Sequence, residues 1–261
     1  MNHVERFRQK IDQGGVCLGT GISMADPIVS EIAGQIGFDF LWIDMEHPAM
    51  DAHAALCHVI AARAAGTCPI IRVRCNDPDV IKPVIDMAPG GVLVPRVNSA
   101  AETQAVVTAC RYPPQGTRGY GSHRGLEYGG MSQSEYLEIA PDLTMVMVQI
   151  EHIDAVNDID AILQVPGLDA VCVGPNDLSG SLNKLGQHTD PQVDEAICTV
   201  LRKASDSKVY AGISGGYDRA MFERWAKLGA QWINIGGDWA HLAKSAREEL
   251  NDARAVLDEL T

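Results

Sequence analysis

The run Leu41-Trp-Ile-Asp-Met-Glu-His-Pro48 decides the fold class. The apolar, strand-like segment Phe38–Ile43 ends in this run, and two carboxylates, a histidine and a proline follow it. An α/β enzyme presents acid–base groups in this way at the mouth of a parallel sheet. A polar strand end followed by a helix cap at Asp51 explains the same residues, so the choice depends on whether the pattern recurs.

The pattern does recur, because apolar, β-rich runs alternate with helical patterns along the whole chain. The strand-like runs are Val16–Gly19, Phe38–Ile43, Pro69–Val73, Gly91–Pro95, Thr144–Ile150, Leu168–Val173, Lys208–Ile213 and Gln231–Ile235. The helical patterns are Pro27–Ile36, Ala52–Ala65, Pro78–Met87, Ala100–Cys110, Ile153–Leu163, Val193–Ala204, Asp218–Leu228 and Trp239–Leu257. Eight βαβ-type units in a chain of 261 residues favour a closed (β/α)8 TIM barrel over an open sheet or two smaller domains. We therefore expect a single α/β TIM-barrel domain over residues 1–261.

Composition and charge restrict the class of protein. With 46% hydrophobic and 21% charged residues, the chain has the composition of a soluble globular protein. Residues 1–13 are typical of an amphipathic helix and not of a signal peptide, and no apolar run is long enough to span a membrane. The net charge of −13 argues against nucleic acid or anionic membranes as partners. Seven cysteines without a Cys-x-x-Cys pair indicate core residues in a reducing cytoplasm.

Polar residues that follow the strands are the candidate site residues, since the active sites of such barrels lie at the C-terminal strand ends. They are Asp44, Glu46 and His47 after the second strand, Arg72 and Arg74 after the third, Gln149 and Glu151 after the fifth, and Asn176 and Asp177 after the sixth.

The fifth strand shows most clearly which side chains enter the barrel. Period-two alternation places Met145, Met147, Gln149 and Glu151 on one face and the aliphatic Val146, Val148 and Ile150 on the other, which must meet the helices. An unpaired carboxylate at the barrel mouth is costly, and a Mg²⁺ or Mn²⁺ ion held by Glu151 and Asp177 would relieve that cost. Alternatively, Glu151 pairs with Arg72, and Asp177 caps a helix that begins at Leu178.

Other titratable residues carry weaker signals. Arg72 suits bidentate recognition of a carboxylate or enolate oxygen, although a salt bridge inside the barrel explains it equally well. Six of the fourteen arginines lie between Arg72 and Arg124, either around an anionic substrate or as solvated surface charges. His123 lies on the long connection Arg111–Gly130 and could reach substrate, whereas four histidines in helices or loops have no such setting: His53, His58, His188 and His241.

None of the seven lysines follows the C-terminal end of a predicted strand. A Schiff-base aldolase needs a desolvated lysine at that position. The sequence therefore favours a metal-dependent route.

These residues together resemble the HpcH/HpaI aldolase family, the class II pyruvate aldolases that include 4-hydroxy-2-oxoheptanedioate and 2-dehydro-3-deoxyglucarate aldolases. The matching segments are 37–47, 71–78, 92–95, 111–119, 148–151 and 173–179. They occur in the family's order, and the resemblance extends over nearly the whole chain.

The resemblance implies a role for each matching residue. His47 is expected to transfer the proton, Arg72 to stabilise the oxyanion, and Asp86 of a neighbouring subunit to raise the basicity of His47. Gln149 and the backbone amide of Asn176 are expected to bind substrate. Glu151 and Asp177 are the expected ligands of a divalent cation, which is Mg²⁺, Mn²⁺ or Co²⁺; Asp177 also contacts substrate.

The resemblance also implies a TIM barrel of the phosphoenolpyruvate/pyruvate type. Its C-terminal helix would be exchanged between subunits within dimers, and three dimers would form a homohexamer. The chain departs from the pattern at Asn176, where many relatives carry alanine, and at Ser214, where relatives can carry leucine. The second departure affects the choice of aldehyde and leaves the reaction type unchanged.

The implied activity is the reversible cleavage of a 4-hydroxy-2-oxo acid, such as 4-hydroxy-2-oxoheptanedioate or a related sugar acid, to pyruvate and an aldehyde. It would belong to the breakdown of aromatic or sugar acids. The enzymatic alternative is a related lyase that acts on a citramalyl or malyl thioester. A barrel kept as a binding protein is the other alternative, and the intact set of His47, Arg72, Glu151 and Asp177 argues against it.

Overall fold

Eight parallel strands form a closed barrel in which each strand pairs with its sequence neighbours and β1 pairs with β8. The computed structural model describes residues 2–260. Met1, the first residue of the expected N-terminal helix, and Thr261, the last residue of the expected 1–261 domain, lie outside the described residues. The strands are β1 (Cys17–Ile22), β2 (Phe40–Asp44), β3 (Cys68–Arg72), β4 (Gly91–Val94), β5 (Met145–Ile150), β6 (Ala170–Val173), β7 (Tyr210–Ser214) and β8 (Trp232–Gly237). The expected TIM barrel and all eight predicted strands are confirmed.

Helices alternate with these strands, and the predicted ones are present with one exception. Within residues 2–260 they are α1 (Val4–Asp12), α2 (Ile28–Ile36), α3 (Ala52–Ala64), α4 (Pro78–Ile85), α5 (Ala100–Cys110), α6 (Gln133–Leu143), α7 (Ile153–Asn157), α8 (Ile159–Ile162), α9 (Pro175–Ser181), α10 (Pro191–Ser205), α11 (Arg219–Lys227) and α12 (Asp238–Glu259). The prediction of one helix over Ile153–Leu163 is wrong, because the chain breaks at Asp158. The Asp158 carboxylate accepts a 2.7 Å hydrogen bond from the backbone N–H of Ala100 at the start of α5.

Helix α6 was not predicted, although the sequence contains its start signal. Ser132 and Glu135 form a capping box, in which each side chain accepts a hydrogen bond from the other residue's backbone N–H. The long connection before it is irregular, apart from a short 3-10 turn at Glu127–Gly129. Its residue Arg118 is anchored to Asp86 by a 2.6 Å ion pair, so the connection is packed against the end of α4.

The barrel interior is filled by the side chains that the strand alternation predicted. Met145 and Met147 pack inside with Phe40, Trp42 and Trp232, whereas the aliphatic residues between and after the two methionines pack against the outer helices. A Cβ atom at Gly212 would lie 2.0 Å from the Trp232 ring, so only glycine fits opposite this indole. The prediction for the two faces of the fifth strand is confirmed.

Helix α1 closes the N-terminal end of the barrel. The Phe7 ring lies 5.8 Å from the Phe40 ring and 6.4 Å from the Trp232 ring in edge-on contacts. These rings seal the floor of the barrel with apolar surface. The open end of the barrel interior is therefore the opposite one, where the strands end.

Helix α12 packs differently from the other helices of the barrel. Of its described residues only Asp238 is buried, and large apolar side chains along it are exposed, among them Trp239, Leu242 and Leu250. Within residues 2–260, no helix combines the length and the apolarity needed to cross a membrane.

All seven cysteines are free thiols. Burial raises the pKa of Cys17 and of Cys110 to about 12, so these thiols stay protonated at neutral pH. Five of the seven are buried, as expected for small core residues, whereas Cys57 and Cys75 are partly exposed. The cytoplasmic location stays a prediction.

Candidate active site

Arg72 holds together the polar residues at the ends of β2 and β3. Its Nε and Nη2 donate to the two carboxylate oxygens of Asp44 at 2.9 and 2.7 Å. Its Nη1 lies 3.0 Å from the Glu46 carboxylate and donates to the Gln149 side-chain oxygen at 3.4 Å. Within residues 2–260 the carboxylate partners of Arg72 are thus Asp44 and Glu46, and the alternative that Arg72 pairs with Glu151 is wrong.

The guanidinium of Arg72 is a permanent charge in a nearly dry environment. Burial alone would lower its pKa, but the hydrogen bond to Asp44 and the charges of Asp44 and Glu46 outweigh burial and raise it. The indole of Trp42 lies beneath it, 5.2 Å from the guanidinium carbon. A fixed cation at this depth can stabilise negative charge that develops on a bound ligand.

The ends of β5 and β6 bring Gln149 and Glu151 next to Gly174. Glu151 is buried, and one of its oxygens accepts a 2.7 Å hydrogen bond from the backbone N–H of Arg96. A Cβ atom at Gly174 would lie 2.6 Å from the Gln149 nitrogen and 2.9 Å from the other Glu151 oxygen. Glycine therefore provides the space in which both polar side chains face the mouth.

Asp177 lies in the first turn of α9, which starts at Pro175 and not at Leu178 as the alternative expectation required. The helix has no side-chain cap, so the Asp177 carboxylate is not used as one. Burial, supported by the negative charges of Asp177 and Glu46, raises the pKa of Glu151 to about 7. The two carboxylates are therefore close enough to repel each other.

These two carboxylates fit a hard divalent cation. Within the described residues there is no cluster of three or more His, Cys, Asp or Glu residues that could hold a metal ion alone. Mg²⁺ needs no such cluster, because one or two carboxylates with water and substrate oxygens complete its octahedron. A cation between Glu151 and Asp177 would also offset the burial and the repulsion that together raise the Glu151 pKa.

A cavity of about 530 Å³ joins these groups to His47. Its lining includes Glu46, His47, Glu151 and Asp177. The His47 side chain is 66% exposed, with Nε2 3.9 Å from the Glu46 carboxylate. Four of the predicted site residues thus share one opening, and Arg72 with Gln149 lies behind them.

Asp86 lies apart from this cavity within one chain. It follows the last residue of α4, and its ion-pair partner is Arg118, whose guanidinium stacks 4.4 Å from the Tyr112 ring. The arrangement fixes the Asp86 carboxylate outside the cavity without bringing it to His47. The expected assistance to His47 thus needs a second subunit and stays a prediction.

Asn176 contacts a histidine that the sequence analysis had set aside. The side chain of His188, on the loop after α9, donates from Nε2 to the Asn176 side-chain oxygen at 2.6 Å. No sequence signal pointed to His188, because it lies in an irregular segment without an apolar run beside it. His58 and His241 contact Ser30 and Thr20 instead.

Arg96 was also missed, although its signal was present, since a polar residue directly follows the apolar fourth strand. It adopts a left-handed backbone conformation, with φ of 55°, and its N–H binds Glu151. The other arginines of the 72–124 stretch do not form one basic patch. Arg111 pairs with Asp169, Arg118 pairs with Asp86, and Arg74 binds backbone oxygens.

A family model described as HpcH/HpaI aldolase/citrate lyase matches residues 22–245. The chain belongs to this family. A hydroxypyruvate/pyruvate aldolase from Roseobacter denitrificans is 35% identical over 92% of this chain and 94% of its own. A 5-keto-4-deoxy-D-glucarate aldolase from Escherichia coli is 31% identical over 95% of both chains.

Solved structures agree with the family assignment. The crystal structure of an HpcH/HpaI aldolase from Desulfitobacterium hafniense superimposes with a TM-score of 0.88 at 31% identity, covering 95% of this chain and 96% of that one. The family match includes every predicted site residue from His47 to Asp177. This HpcH/HpaI family member is a carbon–carbon lyase.

Proposed function

We propose that this family member catalyses the divalent-metal-dependent, reversible retro-aldol cleavage of a 4-hydroxy-2-oxo acid to pyruvate and an aldehyde. The observation that carries the proposal is the pair of carboxylates, Glu151 and Asp177, in one cavity with His47 and beside the buried cation of Arg72. The relatives named as aldolases for hydroxypyruvate/pyruvate and for 5-keto-4-deoxy-D-glucarate support the same reaction class. The substrate class is 4-hydroxy-2-oxoheptanedioate or a related sugar acid.

Glu151 and Asp177 would hold the cation, which is Mg²⁺, Mn²⁺ or Co²⁺. When bound, a divalent cation supplies Lewis-acid charge to the oxygen atoms of the 2-oxo acid. Arg72 places a second positive charge beside the same oxygens and stabilises the enolate that forms when the carbon–carbon bond breaks.

Two neutral groups orient the substrate. The Gln149 side-chain oxygen accepts a hydrogen bond from Arg72, so its amide nitrogen is left to donate to a substrate oxygen. The backbone N–H of Asn176 lies in the first turn of α9, where amides have no partner inside the helix. It donates to the substrate carboxylate.

His47 is the proton-transfer group. It removes the proton from the C4 hydroxyl, the C4 oxygen becomes the aldehyde carbonyl, and the C3–C4 electron pair moves into the pyruvate enolate. Protonation of that enolate at C3 completes pyruvate. The exposure of the His47 side chain leaves the ring accessible to substrate in the cavity.

Removal of divalent ions is the direct test of this function. We expect chelation to abolish pyruvate release from a panel of 4-hydroxy-2-oxo acids, and Mn²⁺ or Mg²⁺ to restore it, because Arg72 would otherwise be left alone to stabilise the charge of the enolate. Glu151→Gln should lose Mn²⁺ binding in calorimetry together with activity. The matched control is Glu138→Gln on α6, an exposed carboxylate, which should bind Mn²⁺ as the wild type does.

Full activity in excess chelator would contradict the proposal. So would a lysine adduct with pyruvate that borohydride reduction traps, since that adduct is the mark of the Schiff-base route.

We further propose a homo-oligomer, a hexamer formed as a trimer of dimers, in which α12 packs against another subunit. Along α2, Ile28, Ile32 and Ile36 are exposed, and with the start of α12 they line a largely apolar cavity of about 620 Å³. An exposed apolar surface of this kind on a folded protein marks an interaction site. The apolar side chains along α12 supply a matching surface on a second copy.

Asp86→Asn tests whether this assembly completes the site. If Asp86 of one subunit polarises His47 of another, the variant should lower turnover by about 10–100-fold, as loss of a carboxylate behind a histidine does, while Mn²⁺ affinity stays unchanged. The measurement is kcat with pyruvate release, beside calorimetric metal binding.

The control for this prediction is Arg118→Gln, which removes the ion-pair partner of Asp86 and keeps the carboxylate. It should lower turnover less than Asp86→Asn does. Ile32→Glu should shift the oligomer toward monomers in light scattering and remove activity with it. An active monomer would contradict the role of Asp86 and leave Glu46 as the carboxylate beside His47, since Arg72 occupies both Asp44 oxygens.

A further inference from the structure

Arg96 is a positively charged residue on the wall of the proposed active-site cavity, and the proposed reaction does not use its side chain. It comes two residues after the end of β4, and its side chain is 63% exposed. It lines the cavity of about 530 Å³ together with His47, Glu151 and Asp177. Of the described residues that line this cavity, Arg96 is the only lysine or arginine. An anionic group bound there would therefore meet Arg96.

The backbone and the side chain of Arg96 are both held in place. Its backbone has a left-handed conformation, with φ of 55°, and its N–H donates to Glu151 at 2.7 Å. Its Nη2 donates to the backbone oxygen of Arg74 at 2.9 Å. The hydrogen bond from the backbone N–H does not depend on the side chain. A substitution at this position can therefore remove the guanidinium and keep the hydrogen bond to Glu151.

The guanidinium of Arg96 keeps hydrogen-bond donors for a ligand. It carries five N–H donors, and among residues 2–260 its only hydrogen-bond acceptor is the Arg74 oxygen. The Glu46 carboxylate lies 3.6 Å from Nε, which is longer than a hydrogen bond. Glu46 is also shared with Arg72, whose Nη1 lies 3.0 Å from it. Arg96 thus has unused N–H groups and a charge that Glu46 only partly neutralises.

Arg96 lies next to the position of the proposed proton transfer. One oxygen of Glu46 lies 3.9 Å from Nε2 of His47, and the other lies 3.6 Å from Nε of Arg96. The imidazole and the guanidinium are therefore neighbours on the cavity wall. In the proposed cleavage His47 removes the proton from the C4 hydroxyl, so the carbon chain beyond C4 starts beside His47. A short chain that starts there can place its far end at Arg96.

A guanidinium selects a carboxylate at that far end. It can bind both carboxylate oxygens with parallel N–H donors, whereas an uncharged end would gain little from it. We propose that Arg96 binds a carboxylate at the far end of the aldehyde part of the substrate and is a specificity-determining residue of this enzyme. The inference rests on the proposed aldolase function. It agrees with 4-hydroxy-2-oxoheptanedioate as a substrate, and it adds the residue that recognises the second carboxylate.

The test uses the full-length enzyme with Mn²⁺ and follows the addition of pyruvate to two aldehydes. Succinic semialdehyde carries a carboxylate, and its methyl ester has the same carbon chain without the charge. The wild type should show about tenfold higher kcat/KM with the acid than with the ester. Arg96→Gln should lower this acid-to-ester ratio by about tenfold, chiefly through a higher KM for the acid, because one hydrogen bond between charged groups is lost. Mn²⁺ affinity in calorimetry should not change, since the N–H that binds Glu151 is retained.

Three comparisons separate recognition of the carboxylate from a structural role. Arg96→Lys keeps the charge and loses the paired donors, so it should retain part of the preference for the acid. High salt should reduce the wild-type preference, since Arg96 is exposed, and should leave the ratio of Arg96→Gln unchanged. Arg219→Gln removes another exposed arginine, which pairs with Glu223 on α11 and does not line the cavity. It should keep the wild-type ratio.

A wild type with equal kcat/KM for the acid and the ester would overturn the inference. An Arg96→Gln variant that loses the same factor with both aldehydes would overturn it too, because Arg96 would then only support Glu46. Failure of the proposed function itself gives a different result. The wild type would then add pyruvate to neither aldehyde, and it would neither cleave 4-hydroxy-2-oxo acids nor decarboxylate oxaloacetate.

Discussion

Arg72→Ala is expected to depress every reaction that passes through the pyruvate enolate. The rates of aldol cleavage, oxaloacetate decarboxylation and exchange of the pyruvate methyl protons should all fall by about 10²–10³-fold. This is the usual loss when an enzyme is deprived of one hydrogen-bond donor to a developing oxyanion. The reason is that Arg72 is the buried cation beside Gln149 and the proposed metal ligands. Steady-state assays of the first two reactions and proton exchange by NMR measure the three rates.

The same change should also destabilise the fold. Asp44 and Glu46 are nearly buried and would lose their common cation, which costs about 3–5 kcal/mol for a buried pair with one partner removed. Urea unfolding measures this cost, and the assays must run where the variant is folded. Arg72→Lys keeps the positive charge and loses the bidentate contact with Asp44. Compared with Arg72→Ala, it should therefore regain part of the lost stability and a smaller part of the lost rate.

Arg74→Ala is the matched control for Arg72. Among the described residues its side chain donates only to the backbone oxygens of Met45 and Met50, at 3.3 and 3.4 Å, so the enolate reactions should continue near the wild-type rate. If folded Arg72→Ala decarboxylated oxaloacetate at the wild-type rate, Arg72 would be only an ion-pair partner. The oxyanion role would then pass to the metal.

His47→Ala should separate aldol chemistry from enolate chemistry. Cleavage of 4-hydroxy-2-oxo acids is expected to fall by about 10²–10⁴-fold, the usual cost of losing a general base. Oxaloacetate decarboxylation should persist, since it forms the same enolate without deprotonating a C4 hydroxyl. Pyruvate release from the two substrates, measured on one enzyme preparation, gives both rates.

The exposure of His47 makes this variant easy to interpret. Its side chain is 66% exposed, so alanine removes little packing and stability should change little. His152→Ala is the control, because His152 lines the same cavity without a proposed role in proton transfer. An equal loss of cleavage in both variants would show that the cavity, and not the His47 imidazole, is what the reaction needs.

Local patterns were sufficient to predict the strands and the faces of β5. Alternation of Met145, Met147, Gln149 and Glu151 with aliphatic residues is a property of neighbouring residues, and a strand turns successive side chains to opposite faces wherever it lies. Polar residues after apolar runs identified Arg72, Glu151 and Asp177 for the same reason. The break at Asp158 was not predictable in this way, because it depends on Ala100, which is distant in sequence.

Pairing within the site depended on how the barrel closes. The sequence placed Asp44, Arg72 and Glu151 at strand ends, and it left open which carboxylate Arg72 binds. The register of β2 and β3 sets Asp44 directly beside Arg72, and this neighbour excludes Glu151 as the ion-pair partner. His188 contacts Asn176 because of how an irregular loop folds. That loop has no periodic pattern of apolar residues, so the contact could not be predicted from the sequence.

The sequence by itself thus determined the barrel, the inward-facing side chains and most of the residues at its mouth, because each of these follows from the order of apolar and polar residues along a strand. Only the tertiary structure decided which of those residues touch. It joined Arg72 to Asp44 and Glu46, left Glu151 beside Asp177, and kept Asp86 with Arg118 away from His47. The physical reason is that charges interact over a few ångströms. The distances between strand ends are set when all eight strands close into the barrel, so they cannot be read from any single segment of the chain.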